Sequence, residues 1–267
     1  MEESLNFYNE FDEKLIKDYI FGNKRLENAI INLKTFIPQK AKSILDIGCG
    51  IGWSSYEFSL EFDKAKVEGI DLSPVLIDKA SKIFTNSNLE FKVFDVTTQI
   101  PEKKYDAVVM IDVYEHIPKE KRITFHKALK NILNTSSRLI LACPSKYHQD
   151  WLRQNDPNGL QPVDEDVDYA DISKLATEIG GEVVFFEYQN IWRSLDYFYS
   201  VIEISPKYNS GNQLRSKLTK LSESSIKRKQ RVETKLGLKL NYEVSKPKSN
   251  VKKRLVKGLK KVIRKVL

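Results

Sequence analysis

Apolar residues recur at spacings of three and four through the first forty positions: Phe11, Leu15 and Tyr19, then Leu26, Ile30 and Leu33. That is the period of a helix with one buried face. It predicts an N-terminal helical cap over 1–42, with the helical stretch ending at Pro38. From residue 43 the pattern changes to short apolar runs alternating with helical ones. Ser43–Ile47, Lys66–Asp71, 89–94, Tyr105–Ile111 and 138–143 read as strands. The run at 105–111 is nearly all apolar, as expected for a strand buried on both faces. Residues 53–62, 74–84 and 119–133 read as helices, and Pro74 suits a first helical turn. A further helix over 171–179 is stopped by Gly180-Gly181, and 182–187 and 199–204 read as two last strands, the second returning antiparallel. This alternation predicts an α/β fold, a mostly parallel sheet covered by helices on both faces. Residues 146–170 fit neither period and read as a long, substrate-facing loop.

In such sheets ligands bind beyond the carboxyl ends of the strands. The run Ile44-Leu45-Asp46-Ile47-Gly48-Cys49-Gly50-Ile51-Gly52 places three alternate glycines between a strand and a helix. Glycines there let a backbone approach a ligand, although a tight turn alone also explains them. Asp71 closes the second strand 19 residues after Gly52, where an acidic side chain accepts ribose hydroxyls. Asp95 closes the third strand, positioned for an adenine amino group, and Asp106 opens the fourth. A dinucleotide-dependent dehydrogenase is the rival reading. Its glycine pattern would be G-x-G-x-x-G rather than the G-x-G-x-G found, and it does not explain Asp46 ahead of the glycines.

Residues 42–143 resemble the cofactor half of class I S-adenosylmethionine-dependent methyltransferases, through LDIGCGIG, GIDLSP, FKVFDV and YDAVVMIDVYEHIP. The resemblance extends over roughly 1–205 and implies a Rossmann-like, seven-stranded sheet with an antiparallel last strand. It also implies S-adenosyl-L-methionine as cofactor. Gly48, Gly50 and Ile111 would line its methionine part, Asp46 would stand near its methionine end, and Cys49 and Gly52 would bind the cofactor from the same loop. Asp71 would take the ribose, Leu72 and Val96 would sandwich the adenine, and Asp95 would hold its amino group. Cys49 reads as a small loop residue and Trp53 as packing.

Methyl transfer to a hydroxyl calls for a base. His116 follows the fourth strand and His148 opens the 146–170 stretch, so both are candidate catalytic residues. Turn stabilisation and a surface role are the alternatives. His126 falls in mid-helix and reads as a surface position. The acidic run Asp164-Glu165-Asp166 with Asp168 reads as a solvated loop rather than a metal site, because metal ligands converge from separated elements. Trp151, Tyr169, Trp192, Tyr197, Phe198 and Tyr199 would suit stacking on a sugar or an apolar ring, with hairpin core the plainer reading of the last four.

Charge divides the chain. The net +8 is the sum of −9 over 1–206 (24 Lys+Arg, 33 Asp+Glu) and +17 over 207–267 (20 Lys+Arg, 3 Asp+Glu). An acidic body is the wrong sign for embracing a phosphate backbone, and the N/D-P-P-Y/F residues of base-amine methylation are missing, so nucleic acid is not the expected acceptor. Residues 207–249 read as a basic helical linker. On a helical wheel, 250–267 sort apolar residues such as Leu255, Leu259 and Ile263 onto one face and Lys253, Lys257, Lys260 and Arg264 onto the other. That predicts an amphipathic helix on an anionic membrane surface. Docking on the acidic body, pairing with a second copy and nucleic-acid binding are the alternatives for this segment. No apolar run approaches the ~20 residues of a membrane span. Two cysteines, Cys49 and Cys143, make no disulfide framework. The expectation is a cytoplasmic enzyme, peripheral at the inner face of the membrane. It would O-methylate a sugar hydroxyl of a lipid-linked or surface polysaccharide. A membrane quinone or lipid acceptor, or a non-enzymatic cofactor-binding adaptor, is the alternative.

Overall fold

Seven strands form one sheet in the order β3-β2-β1-β4-β5-β7-β6 in the computed structural model, which describes residues 7, 10–99, 101–207, 213–241 and 244. The strands are β1 (Ser43–Ile47), β2 (Lys66–Asp71), β3 (Leu89–Val93), β4 (Tyr105–Ile111), β5 (Leu133–Pro144), β6 (Gly181–Gln189) and β7 (Tyr197–Ile204). The first five run parallel, and β7 is antiparallel to both of its neighbours. Strand order reverses between β1 and β4, so their carboxyl ends open the crevice where such sheets bind ligands.

Alternation builds two cores from one sheet. In β4, Ala107, Val109 and Ile111 face one side and Val108 and Met110 the other. On the first side pack α1 (Asp12–Phe21), α2 (Lys24–Lys34) and α3 (Trp53–Glu61). On the second pack α5 (Lys119–Ile132) and α7 (Tyr169–Ile179). α4 (Pro74–Ile83) follows β2, with Ser73 accepting from the Leu76 amide as its N-cap. Each fully buried Ile, Leu or Phe in these layers contributes about 1.5–3 kcal/mol.

Three sequence expectations change. Residues 146–170 are not one loop: α6 (Lys146–Asn155) starts at once, with the Ser145 hydroxyl accepting from the His148 amide at 3.3 Å. Only Gln149 of this helix is buried, so its apolar stripe is too thin to register as a period. A single 3₁₀ turn follows at Pro157–Gly159. Second, the described part of the expected basic helical linker packs on the body. Residues 213–224 run without regular secondary structure across the body, and α8 (Ser225–Leu236) docks on it with Arg228 and Val232 buried. Third, His126 is 2% exposed rather than on the surface, bonded to the Tyr114 hydroxyl at 2.9 Å and Glu178 at 2.5 Å. The predicted amphipathic segment 250–267 lies outside the described residues. No helix among the described residues is long and apolar enough to cross a membrane.

Candidate active site

A cavity of about 280 Å³ lies over the carboxyl ends of β1, β2 and β4. Its floor is the loop that joins β1 to α3. Gly48 and Gly50 take φ of +68° and +55°, which favour glycine. A Cβ on Gly48 would lie 2.4 Å from the Val113 side chain. The loop is pinned from β2: Asp71 accepts the Gly50 amide through one carboxylate oxygen and the Ser73 amide through the other, both at 2.9 Å. Burial pushes the Asp71 carboxyl up, against the pull of these amides.

Most residues singled out in the sequence meet here. Gly48, Cys49, Gly50, Asp71, Leu72, Asp95, Val96, Ile111 and His116 all line the cavity. Asp95 closes a tight turn, accepting the Thr97 amide and hydroxyl at 2.8 Å and the Thr98 hydroxyl at 2.9 Å. Burial pushes the Cys49 thiol well above its usual range, which fits an inert loop residue.

Three expected residues are not on the wall. Asp46 is buried beneath it, accepting the Ser54 and Ser55 hydroxyls at 2.5 and 2.6 Å, and so ties β1 to the first turn of α3. Burial raises its carboxyl to about 6. Gly52 caps α3 at φ +88°, where a Cβ would sit 2.5 Å from the Phe91 ring, so this glycine permits helix–strand packing. His148 stands outside the cavity with its ring 6.2 Å from that of Trp192. Asp106 lies at the opposite edge of the sheet, accepting the Lys42 amide at 2.7 Å.

His116 is held on several sides. Its Nδ1 meets the Val163 carbonyl at 2.6 Å and Asp164 at 3.2 Å, and its Nε2 lies 3.7 Å from Glu115. Burial opposes its charge, but Glu115 and then Asp164 win, raising it to about 9. The acidic run is dispersed: Asp164 faces His116, Glu165 pairs with Lys119, Asp166 with Arg153, and Asp168 caps α7.

The family model of a methyltransferase domain matches residues 44–136. This chain carries a class I S-adenosylmethionine-dependent methyltransferase domain. Over 89 residues, a third of each chain, it is 34% identical to malonyl-[acyl-carrier protein] O-methyltransferase 1 of Ilyobacter polytropus. Over 137 residues it is 30% identical to tocopherol O-methyltransferase of Arabidopsis thaliana, covering 48% of this chain and 36% of that one. The fold of magnesium protoporphyrin IX methyltransferase from Synechocystis, solved with SAH, superposes at a TM-score of 0.55 and 18% identity, over 76% of this chain and 100% of that one. The chain spans about a third of the length of the first curated relatives it matches.

What sequence reasoning missed is the roof of the methyltransferase cavity. Lys14, Leu15 and Asp18 of α1 and Arg25 and Leu26 of α2 close over the glycine loop, with Leu15 coming within 3.2 Å of where a Gly50 Cβ would be. Arg25 joins roof to floor through Asp112, at 3.0 Å. Asp112 follows β4 at φ +55° and also accepts the Tyr197 hydroxyl. The helical period of the N-terminal cap showed which face was apolar, but not which polar residues would turn inward beside it.

Proposed function

We propose that this protein is an S-adenosylmethionine-dependent O-methyltransferase for a small acceptor whose oxygen is already ionised, a carboxylate being the simplest case. One observation carries the reading: a single roofed cavity has the glycine loop, Asp71, Asp95 and Val96 on one side and the cations Lys14 and Arg25 on the other. The residues fit the cofactor. Gly48 and Gly50 leave the loop backbone bare, Asp71 is available to ribose hydroxyls, and Leu72 and Val96 offer apolar surfaces for a base. S-adenosylmethionine, when bound, supplies an electrophilic methyl group on its sulfonium sulfur.

The chain's own task is then to orient and to exclude water. Leu15, Leu26 and Ile30 bring apolar surface down from the roof. A hydroxyl acceptor needs a base in reach, whereas a carboxylate does not. His116 fits a base poorly: its Nδ1 donates to Val163, and Glu115 and Asp164 keep the ring protonated near neutral pH. His148 is outside the cavity. The name of the Ilyobacter relative, an O-methyltransferase of a malonyl group, supports an acidic acceptor. Support for the sugar-hydroxyl alternative weakens at five of the six aromatic residues. Tyr197, Phe198 and Tyr199 are core, Trp151 lies under Arg193 and Tyr169 packs on Phe186. A working site at an anionic membrane surface is supported by the sequence pattern of 250–267.

Transfer of a labelled methyl group to cell-extracted acceptors tests this reading. The expected product releases its label as methanol in mild alkali, as an ester does. Alkali-stable label in a glycan or lipid fraction would overturn the carboxylate and favour a hydroxyl. Asp71→Ala should weaken SAH binding in calorimetry by at least tenfold, and wild-type affinity in that variant would sink the site itself.

A further inference from the structure

Residues 213–236, part of the segment that the sequence read as a linker, are built into the body, and they touch the cavity from behind. Arg138, 3% exposed, donates to the carbonyls of Leu214 at 2.9 Å and Gln213 at 3.3 Å. The Ser216 amide donates to the Thr35 carbonyl at 2.7 Å. Buried Glu57 accepts the Ser222 amide at 3.0 Å and its hydroxyl at 2.7 Å. Glu223 then accepts the Tyr19 hydroxyl at 2.7 Å and pairs with Arg231, which stacks on Tyr56.

Arg228 of α8 is the centre of this contact. It is 5% exposed and pairs with Glu27 of α2 at 2.9 Å. Its guanidinium carbon lies 4.9 Å from the Trp53 ring and 5.7 Å from the Tyr19 ring. Its Nε and Nη1 are buried with no hydrogen-bond partner among the described residues. Two orphaned donors on a buried cation are costly. Stacking on aromatic faces offsets part of that cost. A methionine or leucine would fill the space without it, so the charge needs a reason.

Its neighbours supply one. Trp53 is cavity wall, Tyr19 adjoins the roof residue Asp18, and Glu27 adjoins the roof residue Leu26. One guanidinium therefore links the wall to both roof helices. We infer that residues 213–236 are a brace for the cofactor roof, and that Arg228 is a positioning residue for cofactor binding. This rests on the reading of the cavity as the S-adenosylmethionine site.

The test uses the full chain. Arg228→Met keeps the stem and removes the charge, Arg228→Lys keeps a charge within reach of Glu27, and Tyr19→Phe removes only the hydroxyl bonded to Glu223. SAH affinity is read by calorimetry, thermal stability alongside it, and amide exchange over residues 12–34 without SAH. Arg228→Met is expected to weaken SAH about tenfold, Arg228→Lys to recover most of that, and Tyr19→Phe to cost about threefold. Exchange over 12–34 should rise in Arg228→Met and Tyr19→Phe. Wild-type SAH affinity in a folded Arg228→Met chain overturns the brace. If Arg228→Met does not fold, unchanged exchange and affinity in Tyr19→Phe overturn it. If the wild-type chain binds no SAH, the cavity reading fails, and the exchange measurement still decides the brace: unchanged exchange overturns it.

Discussion

Gly52 and His116 show how differently two residues of one site are constrained. At Gly52 any side chain meets the Phe91 ring and the Ala80 methyl while holding φ at +88°. Gly52→Ala should therefore destabilise the fold by about 2–5 kcal/mol, the sum of overpacking and left-handed strain. Denaturant unfolding checks this. At His116 the constraint is electrostatic. Its raised value in the fold means that its stabilisation is complete below its ordinary value near 6.5, and is lost as pH rises through about 9. Burial pushes neighbouring Glu115 up to about 7, which also favours the fold at lower pH. Thermal stability should fall between pH 6.5 and 9, and His116→Gln should lose that part of the pH dependence. An unchanged slope in the variant would refute the assignment.

The elements divide according to how much of their surface is buried. β1, β4 and the second half of β5 are buried on both faces and read as apolar runs, and their positions followed from that alone, whereas β5 begins at Leu133 through a polar stretch that gave no such signal. α7 starts two residues before the expected 171, at a capping box. Asp168 accepts the Ala170 and Asp171 amides, while the Asp171 side chain accepts the Asp168 amide. Asp168→Ala should cost about 1 kcal/mol of stability, measurable in a denaturant series. α6 carried little signal because it lies on the surface. α8 was legible as helical but not as docked. Beside Val232, its contacts are Arg228 and Arg231 over aromatic rings, and charged side chains leave no apolar stripe in the sequence.

At the scale of the whole molecule, charge is distributed by segment rather than spread evenly. Part of the basic C-terminal segment is consumed internally, since Arg228 and Arg231 neutralise Glu27 and Glu223. In the sequence of 250–267 the basic residues fall opposite an apolar face. If they seek an anionic surface, the full chain should co-sediment with phosphatidylglycerol vesicles. Replacing Lys260, Lys261 and Arg264 by Glu should then leave it in the supernatant. Equal co-sedimentation of both proteins would remove the membrane from the account.

The sequence by itself determined the sheet, the glycine loop and the acidic residues at the strand ends. Each is a local pattern, an apolar run followed by a turn, read within a few positions. Tertiary structure alone decided which of those residues face the cavity. Asp46 and Gly52 sit in the motif and point away, because one staples a helix and the other admits an aromatic ring. It also decided the roof and its brace, where Arg25 meets Asp112 and Arg228 meets Glu27 across 87 and 201 positions of chain. Contacts between residues so far apart leave no periodic trace. They arise only when burial brings the segments together and each buried charge must find a partner.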